Sequence, residues 1–241
     1  MNVLTLTLLM SSAAAGGIIN TVCGFGLGAV AMSIWPYRMP YMQSVSVVTL
    51  CGLTIDLLLL SRTHRFISWR KLVPCLVCGM IFSSLSVYLS VGAAERALTR
   101  SLGVILIVLG AYSVFFSGKI RIKASPFNGC IAGALAGVFS GLFSVGGPPV
   151  AIYFLAGTDS NSEYRATLNA YFCFINVSTT WARWRNGIIT AQTLRVWLLL
   201  VAAIGLSIFV GNKVFYKLDG AKLRKIVYAY LIFSGALLLF R

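Results

Sequence analysis

Uninterrupted apolar runs constrain this chain more than any other feature. Leu102–Phe116 and Val196–Val210 contain no charged residue, and residues 3–35 stay apolar for 33 positions. About 20 such residues cross the ~30 Å hydrocarbon core of a bilayer. Of the 241 residues, 59% are hydrophobic and only 10% are charged, whereas a soluble domain devotes about a quarter of its residues to charge. The chain therefore reads as an all-α integral membrane protein with several spans.

The few charges have a pattern. The 20 Lys and Arg outnumber the 5 Asp and Glu, giving a net charge of +15, and they lie almost wholly between the apolar runs. No contiguous basic face is long enough to track nucleic-acid phosphates, so nucleic acid is excluded as a partner. Loops meeting the anionic headgroups of membrane lipids explain the excess. Leu4–Met10 followed by Ala13–Ala15 imitates a signal peptide, but no Lys or Arg precedes Arg38. It is read as a retained first membrane segment with its terminus outside.

The chain also repeats itself. Gly24-Phe25-Gly26-Leu27-Gly28 parallels Ser144-Val145-Gly146-Gly147-Pro148 at an offset of 120. Phe66–Leu72 parallels Ile188–Leu194 at 122, and Ala97–Arg100 parallels Lys222–Lys225 at 125. Two repeats, 1–118 and 127–241, are expected on either side of a basic linker at 119–126. Plain spans are expected at 41–61, 72–91, 98–117, 165–183, 194–211 and 223–240. Each repeat opens instead with a segment that is too long for one crossing or broken by Gly and Pro. In the second repeat the break is expected to leave arms of about 14 and 9 residues, too short to span, which predicts a re-entrant helical hairpin. If both hairpins return to their side of entry, one face collects 13 Lys and Arg and the other 7, the latter including Arg183. Single crossings would give 11 and 9, so the positive-inside rule favours the hairpins. Three crossings per repeat then make the two repeats inverted relative to each other, a recurring plan in secondary transporters.

The hairpin tips hold the candidate site: Gly24, Gly26 and Gly28 in the first, and Ser144, Gly146 and Gly147 in the second. Pro148 and Pro149 suit the start of a helix, and helix N-termini bind anions through free N–H groups and dipole. Two such ends meeting at mid-membrane would hold an oxyanion without a fully buried cation. The competing reading is close packing, since small residues let membrane helices approach. Arg165, Asn169, Phe172 and Asn176 share one helix face; Asn169 is expected to bond the anion, and Arg165 either to pair with it or to anchor the helix end. Asp56 is the one acidic residue well inside a span. It is read either as a proton carrier or as a capped or Arg-paired structural carboxylate near the interface, the latter preferred. His64 reads as solvated, and Trp69, Trp181, Trp184 and Trp197 as interfacial. The six cysteines lie in apolar runs and read as packing residues. Cys75-x-x-Cys78 has redox spacing, but no His or third Cys adjoins it in sequence, so no metal or cofactor is expected.

The paired Gly-rich tips, the Ile67-Ser68-Trp69-Arg70-x-Leu72 element and the Arg165-Ala166-Thr167 helix start together resemble the TauE/SafE sulfite exporter family, also called TSUP, over essentially the whole chain. The resemblance implies a transporter of a small sulfur anion such as sulfite, thiosulfate or an organosulfonate, expected in a bacterial inner membrane and to work by alternating access; protons, carried by Asp56, are one candidate coupling ion. Two departures are Gln43-Ser44-Val45, where the family often has Ala-x-x-Thr-Ser, and Ser144 in place of a common glycine. An enzyme is disfavoured, because five acids and one loop histidine supply neither paired carboxylates nor a haem or metal set. A membrane assembly or structural protein without transport activity is the alternative.

Overall fold

The computed structural model describes residues 3–116, 124–215, 232–236 and 238–239. Among these lie nine consecutive α-helices: α1 (Val3–Cys23), α2 (Leu27–Ile34), α3 (Tyr41–Thr63), α4 (Trp69–Ser90), α5 (Glu95–Phe116), α6 (Pro126–Phe143), α7 (Gly147–Gly157), α8 (Asn161–Arg185) and α9 (Ala191–Phe215). The described residues contain no strand. Five helices are long and apolar enough to cross a membrane: α1, α3 with the turn that follows it, α4, α6 and α9. The expected linker falls mostly, and the expected last span largely, outside the described residues.

These helices are built inside out by the standards of a soluble protein. On α4, Val73, Val77, Ile81, Leu85 and Leu89 form an exposed stripe at four-residue spacing. The buried face carries Cys75, Gly79, Ser83, Ser86 and Ser90. Lipid solvates the large side chains, so the small ones are free to bring helix backbones together. On α6 the contact stripe is Gly133, Gly137 and Gly141. A methyl group added at Gly133, Gly137 or Gly141 would lie 2.0, 2.5 or 2.4 Å from the carbonyl oxygen of Cys75, Gly79 or Ser83. The partners advance together by four residues, so α4 and α6 run parallel in close contact.

Both opening segments fold as broken hairpins. The α1 helix breaks at Gly24–Gly26, and α2 turns back along it, with the Trp35 indole N–H donating to Ser12 Oγ at 2.8 Å. The α6 helix breaks at Ser144–Gly146, and α7 returns until Tyr153 lies over Gly129. Arm lengths differ from expectation. The second arms are short, about 12 Å for α2 and 16 Å for α7, but α1 and α6, with 21 and 18 residues, reach about 31 and 27 Å. The α6 helix runs on to Phe143, and its glycines at 133, 137 and 141 form its contact stripe with α4.

Local sequence sets the other boundaries. Ser125 caps α6, accepting the Asn128 N–H at 3.2 Å with Pro126 in the first turn. Ser160 and Glu163 form a capping box at the start of α8: Ser160 Oγ accepts the Glu163 N–H at 3.1 Å, while Glu163 accepts the Asp159 N–H at 2.9 Å. Helix starts recur along the chain: Leu27 and Gly147 are 120 positions apart, as are Tyr41 and Asn161, and Trp69 precedes Ala191 by 122.

The pairing of α3 with α8 positions the site. Asp56 bonds Asn176, and Thr49, seven residues earlier on α3, bonds Arg183, seven residues later on α8. The two helices are therefore antiparallel.

Candidate functional site

Each hairpin tip must reverse the chain within three residues, which only unusual backbone angles allow. At the first tip Gly24 and Gly26 take φ of 82° and 134°, the latter essentially closed to residues with a Cβ. At the second tip the left-handed position belongs to Ser144, φ 55°. The Val145 N–H reaches back to Phe139 O at 3.3 Å and the Ser144 N–H to Ser140 O at 3.0 Å, a Schellman closure that usually employs glycine. The Ser144 hydroxyl helps to hold this conformation, lying 2.8 Å from Thr49 Oγ1 and 3.4 Å from Val45 O.

The tips meet. A Cβ at Gly28 would lie 1.8 Å from Ser144 O, and one at Gly147 would lie 2.4 Å from the Phe25 ring. Close packing thus explains these two glycines, and Gly146 packs against Ser140 and Ala136 of its own arm. Beside the contact lies a cavity of about 60 Å³. Its walls include Gly26, Leu27, Gly28 and Ala29 from the first tip, and Ser144, Gly146, Gly147 and Pro148 from the second. Asn20, Ser140, Asn176 and Asp56 add polar groups to the lining, and Phe25 and Phe172 add aromatic ones. Two helix N-termini therefore open on one space, and their cap residues, Gly26 and Gly146, have no side chain with which to cap them.

The α8 face divides. Phe172 and Asn176 line the cavity, whereas Arg165 and Asn169 do not. Arg165 Nη2 donates to Thr21 O at 2.8 Å, near the end of α1. Asn169 is 2% exposed, and its Oδ1 has no hydrogen-bond partner among the described residues. Gly24 also stands off the cavity wall, against Leu168.

Asp56 departs from its preferred structural reading. It lies on the cavity wall, buried, and accepts a hydrogen bond from Asn176 Nδ2 at 2.8 Å. Neither Asp56 nor Arg183 is in an ion pair among the described residues, whose ion pairs join Lys71 to Asp159 and Glu163.

Arg183 was missed by sequence reasoning. Counted there as a loop charge beside Trp184 and Arg185, it is 1% exposed and donates to Thr49 Oγ1 and, at 2.7 Å, to Gly141 O. Burying an ion costs several kcal/mol, and a charge-assisted hydrogen bond returns roughly 1.5–3, so two bonds bring the group near balance. A fully buried cation thus does lie near the tips, one hydroxyl behind Ser144. Its signal was the seven-residue step Asn169, Asn176, Arg183 along one face.

His64 is exposed, as are Trp69, Trp181 and Trp184, while the Trp197 indole donates to Thr54 Oγ1 at 3.1 Å. The six cysteines are free thiols. A larger cavity of about 420 Å³, between α5, α6 and α7, is lined by Ile105, Ile131, Leu135, Phe139 and similar residues, with Asn128 its one polar side chain. It offers little to an anion.

A chain of apolar helices around two helix breaks that share a cavity is the architecture of a membrane transporter, and comparison with known proteins agrees. The family model described as "Sulfite exporter TauE/SafE" matches residues 8–238. The chain belongs to that family, whose members are membrane exporters and not enzymes. A curated relative from Cupriavidus necator, described as "Probable sulfite/organosulfonate exporter TauE", is 25% identical over 235 residues, covering 93% of this chain and 90% of that protein. No solved structure matches. The chain is accordingly a multi-pass membrane protein, and its bacterial relative is consistent with a bacterial inner membrane.

Proposed function

We propose that this protein is a secondary transporter of a sulfur-containing oxyanion, sulfite or an organosulfonate, held between the two hairpin tips. The observation that carries the proposal is the pair of helix N-termini, uncapped by side chains, opening on one cavity. An oxyanion leaving water loses hydration worth many kcal/mol. Two helix ends, each equivalent to roughly half a positive charge, compensate it through several shared donors. The amide groups of Asn20 and Asn176 and the hydroxyl of Ser140 add neutral hydrogen bonds, and Phe172 gives a wall for an organic substituent. The name carried by the Cupriavidus relative supplies the substrate class.

Alternating access follows from the inverted-repeat plan, with both chain termini outside and residues 61–71 in the cytoplasm. The antiparallel pairing of α3 with α8, which start 120 residues apart, supports that plan. Asp56 is assigned the coupling proton, since it is the buried carboxylate on the cavity wall and one neutral amide is its bonded partner. Protonation there would compensate the negative charge that the anion brings.

Reconstitution into liposomes tests the proposal, with labelled sulfite, thiosulfate and taurine offered with and without a pH gradient. Uptake of at least one of them, accelerated by the gradient, is expected. Asp56→Asn should abolish the acceleration while substrate still binds. Folded, monodisperse protein that neither binds nor moves any of these anions would instead favour a structural or assembly role.

A further inference from the structure

The carbonyl ends of the two broken helices are treated alike, and this has a consequence for the cavity. The last four carbonyls of a helix lack intrahelical partners and carry its negative end. At α1, Asn20 O accepts the Gly24 N–H at 2.7 Å, and the next carbonyl, Thr21 O, accepts from Arg165. At α6, Ser140 O accepts the Ser144 N–H at 3.0 Å, and the next carbonyl, Gly141 O, accepts from Arg183. Thr21 and Gly141 each stand two residues before their helix ends, at Cys23 and Phe143. The following carbonyl of α6, Leu142 O, accepts the Tyr41 hydroxyl at 2.9 Å. Both arginines come from α8, 18 residues apart, which is five turns and therefore one face.

We propose that Arg165 and Arg183 are a matched pair of positioning residues that neutralise the negative ends of α1 and α6 from behind the cavity, leaving the anion to meet the positive ends of α2 and α7. At a helix break the carbonyl end of one arm and the amide end of the next lie side by side, so their fields largely cancel. A cation on the carbonyl end removes that cancellation. Neither arginine lines the cavity, so the anion gains the field without a contact ion pair that would slow its release. Arg183 couples further: it donates to Thr49, whose hydroxyl bonds Ser144 at the second tip.

The inference rests on the anion site proposed above, and its test keeps the two separable. Binding of thiosulfate, a dianion, and of methanesulfonate, a monoanion, is measured on purified wild type, Arg165→Gln, Arg183→Gln, Arg183→Lys and the lipid-face control Val77→Leu. Coulomb energy scales with ligand charge. Loss of one clasp charge that costs the dianion about tenfold should therefore cost the monoanion only about threefold. Arg183→Lys should keep the wild-type ratio between the two anions, and Val77→Leu should change nothing. A role confined to folding would lower melting temperature and weaken both anions by the same factor, or neither, and that result would overturn the proposal. Should Arg183→Gln not fold, the partly buried Arg165 carries the same comparison alone. Failure of wild type to bind either anion would instead remove the site itself.

Discussion

The two hairpin tips reach the same shape by different chemistry. At the first, glycines supply both left-handed positions, and the following turn offers the N–H groups of Leu27, Gly28 and Ala29 to the cavity side. At the second, Ser144 takes the left-handed position at a cost of about 1–2 kcal/mol, and its hydroxyl is tied to Thr49 and Val45. Pro148 and Pro149 then remove two of the N–H groups that a helix start would present. The first tip is thus rich in donors and held by its own backbone. The second is poor in donors, stiffened by prolines and anchored to α3.

The comparison can be broken at its strongest point. Gly28→Ala puts a methyl group into the Ser144 carbonyl, backbone against backbone, and neither side can yield without reshaping a tip. A loss of about 3 kcal/mol or more is expected, read as a fall of roughly 10 °C in melting temperature. Gly26→Ala and Gly147→Ala should cost less, about 1–3 kcal/mol each. The first strains the backbone at φ 134° and meets Ile19, and the second displaces the Phe25 ring. A Gly28→Ala protein as stable as wild type would show that the tips do not touch. The smallest effect sharpens the contrast at Ser144. Ser144→Ala loses about 1 kcal/mol with the Thr49 bond, whereas Ser144→Gly loses the same bond but relieves the left-handed backbone and should come out near neutral. Equal losses in the two variants would mean that the backbone there carries no strain.

Much of this was legible in the sequence. The breaks at Gly24–Gly26 and Ser144–Gly146, the 120-residue spacing and the boundaries of α3 and α4 follow from runs, turns and repetition. What was not legible depended on which surface solvates a side chain. The contact of α6 with α4 through Gly133, Gly137 and Gly141 was not legible, because in water a glycine only weakens a helix; beside α4 these residues are what allows contact at backbone distance. Arg183 looked interfacial because tryptophans and Arg185 flank it, and its partners, Thr49 and Gly141, lie 134 and 42 residues away. Asp56 was read as a proton carrier or as a capped or Arg-paired carboxylate near the interface; its partner is the neutral amide of Asn176, 120 positions along the chain. Arg165 was read either as the anion's charge partner or as an anchor of the helix end, and its Nη2 bonds the Thr21 carbonyl of α1.

The most direct test of an anion path between the tips is flux of labelled sulfite into liposomes carrying the Asn176→Leu variant. Leucine keeps the branched shape and heavy-atom count of the asparagine, with more volume, while removing the amide that lines the cavity and holds Asp56. Wild type and Val77→Leu should move sulfite at similar rates, and Asn176→Leu, folded and inserted to the same extent, should fall at least tenfold, a loss of about 1.4 kcal/mol in transition-state stabilisation. Flux through Asn176→Leu at the wild-type rate would contradict passage through this cavity.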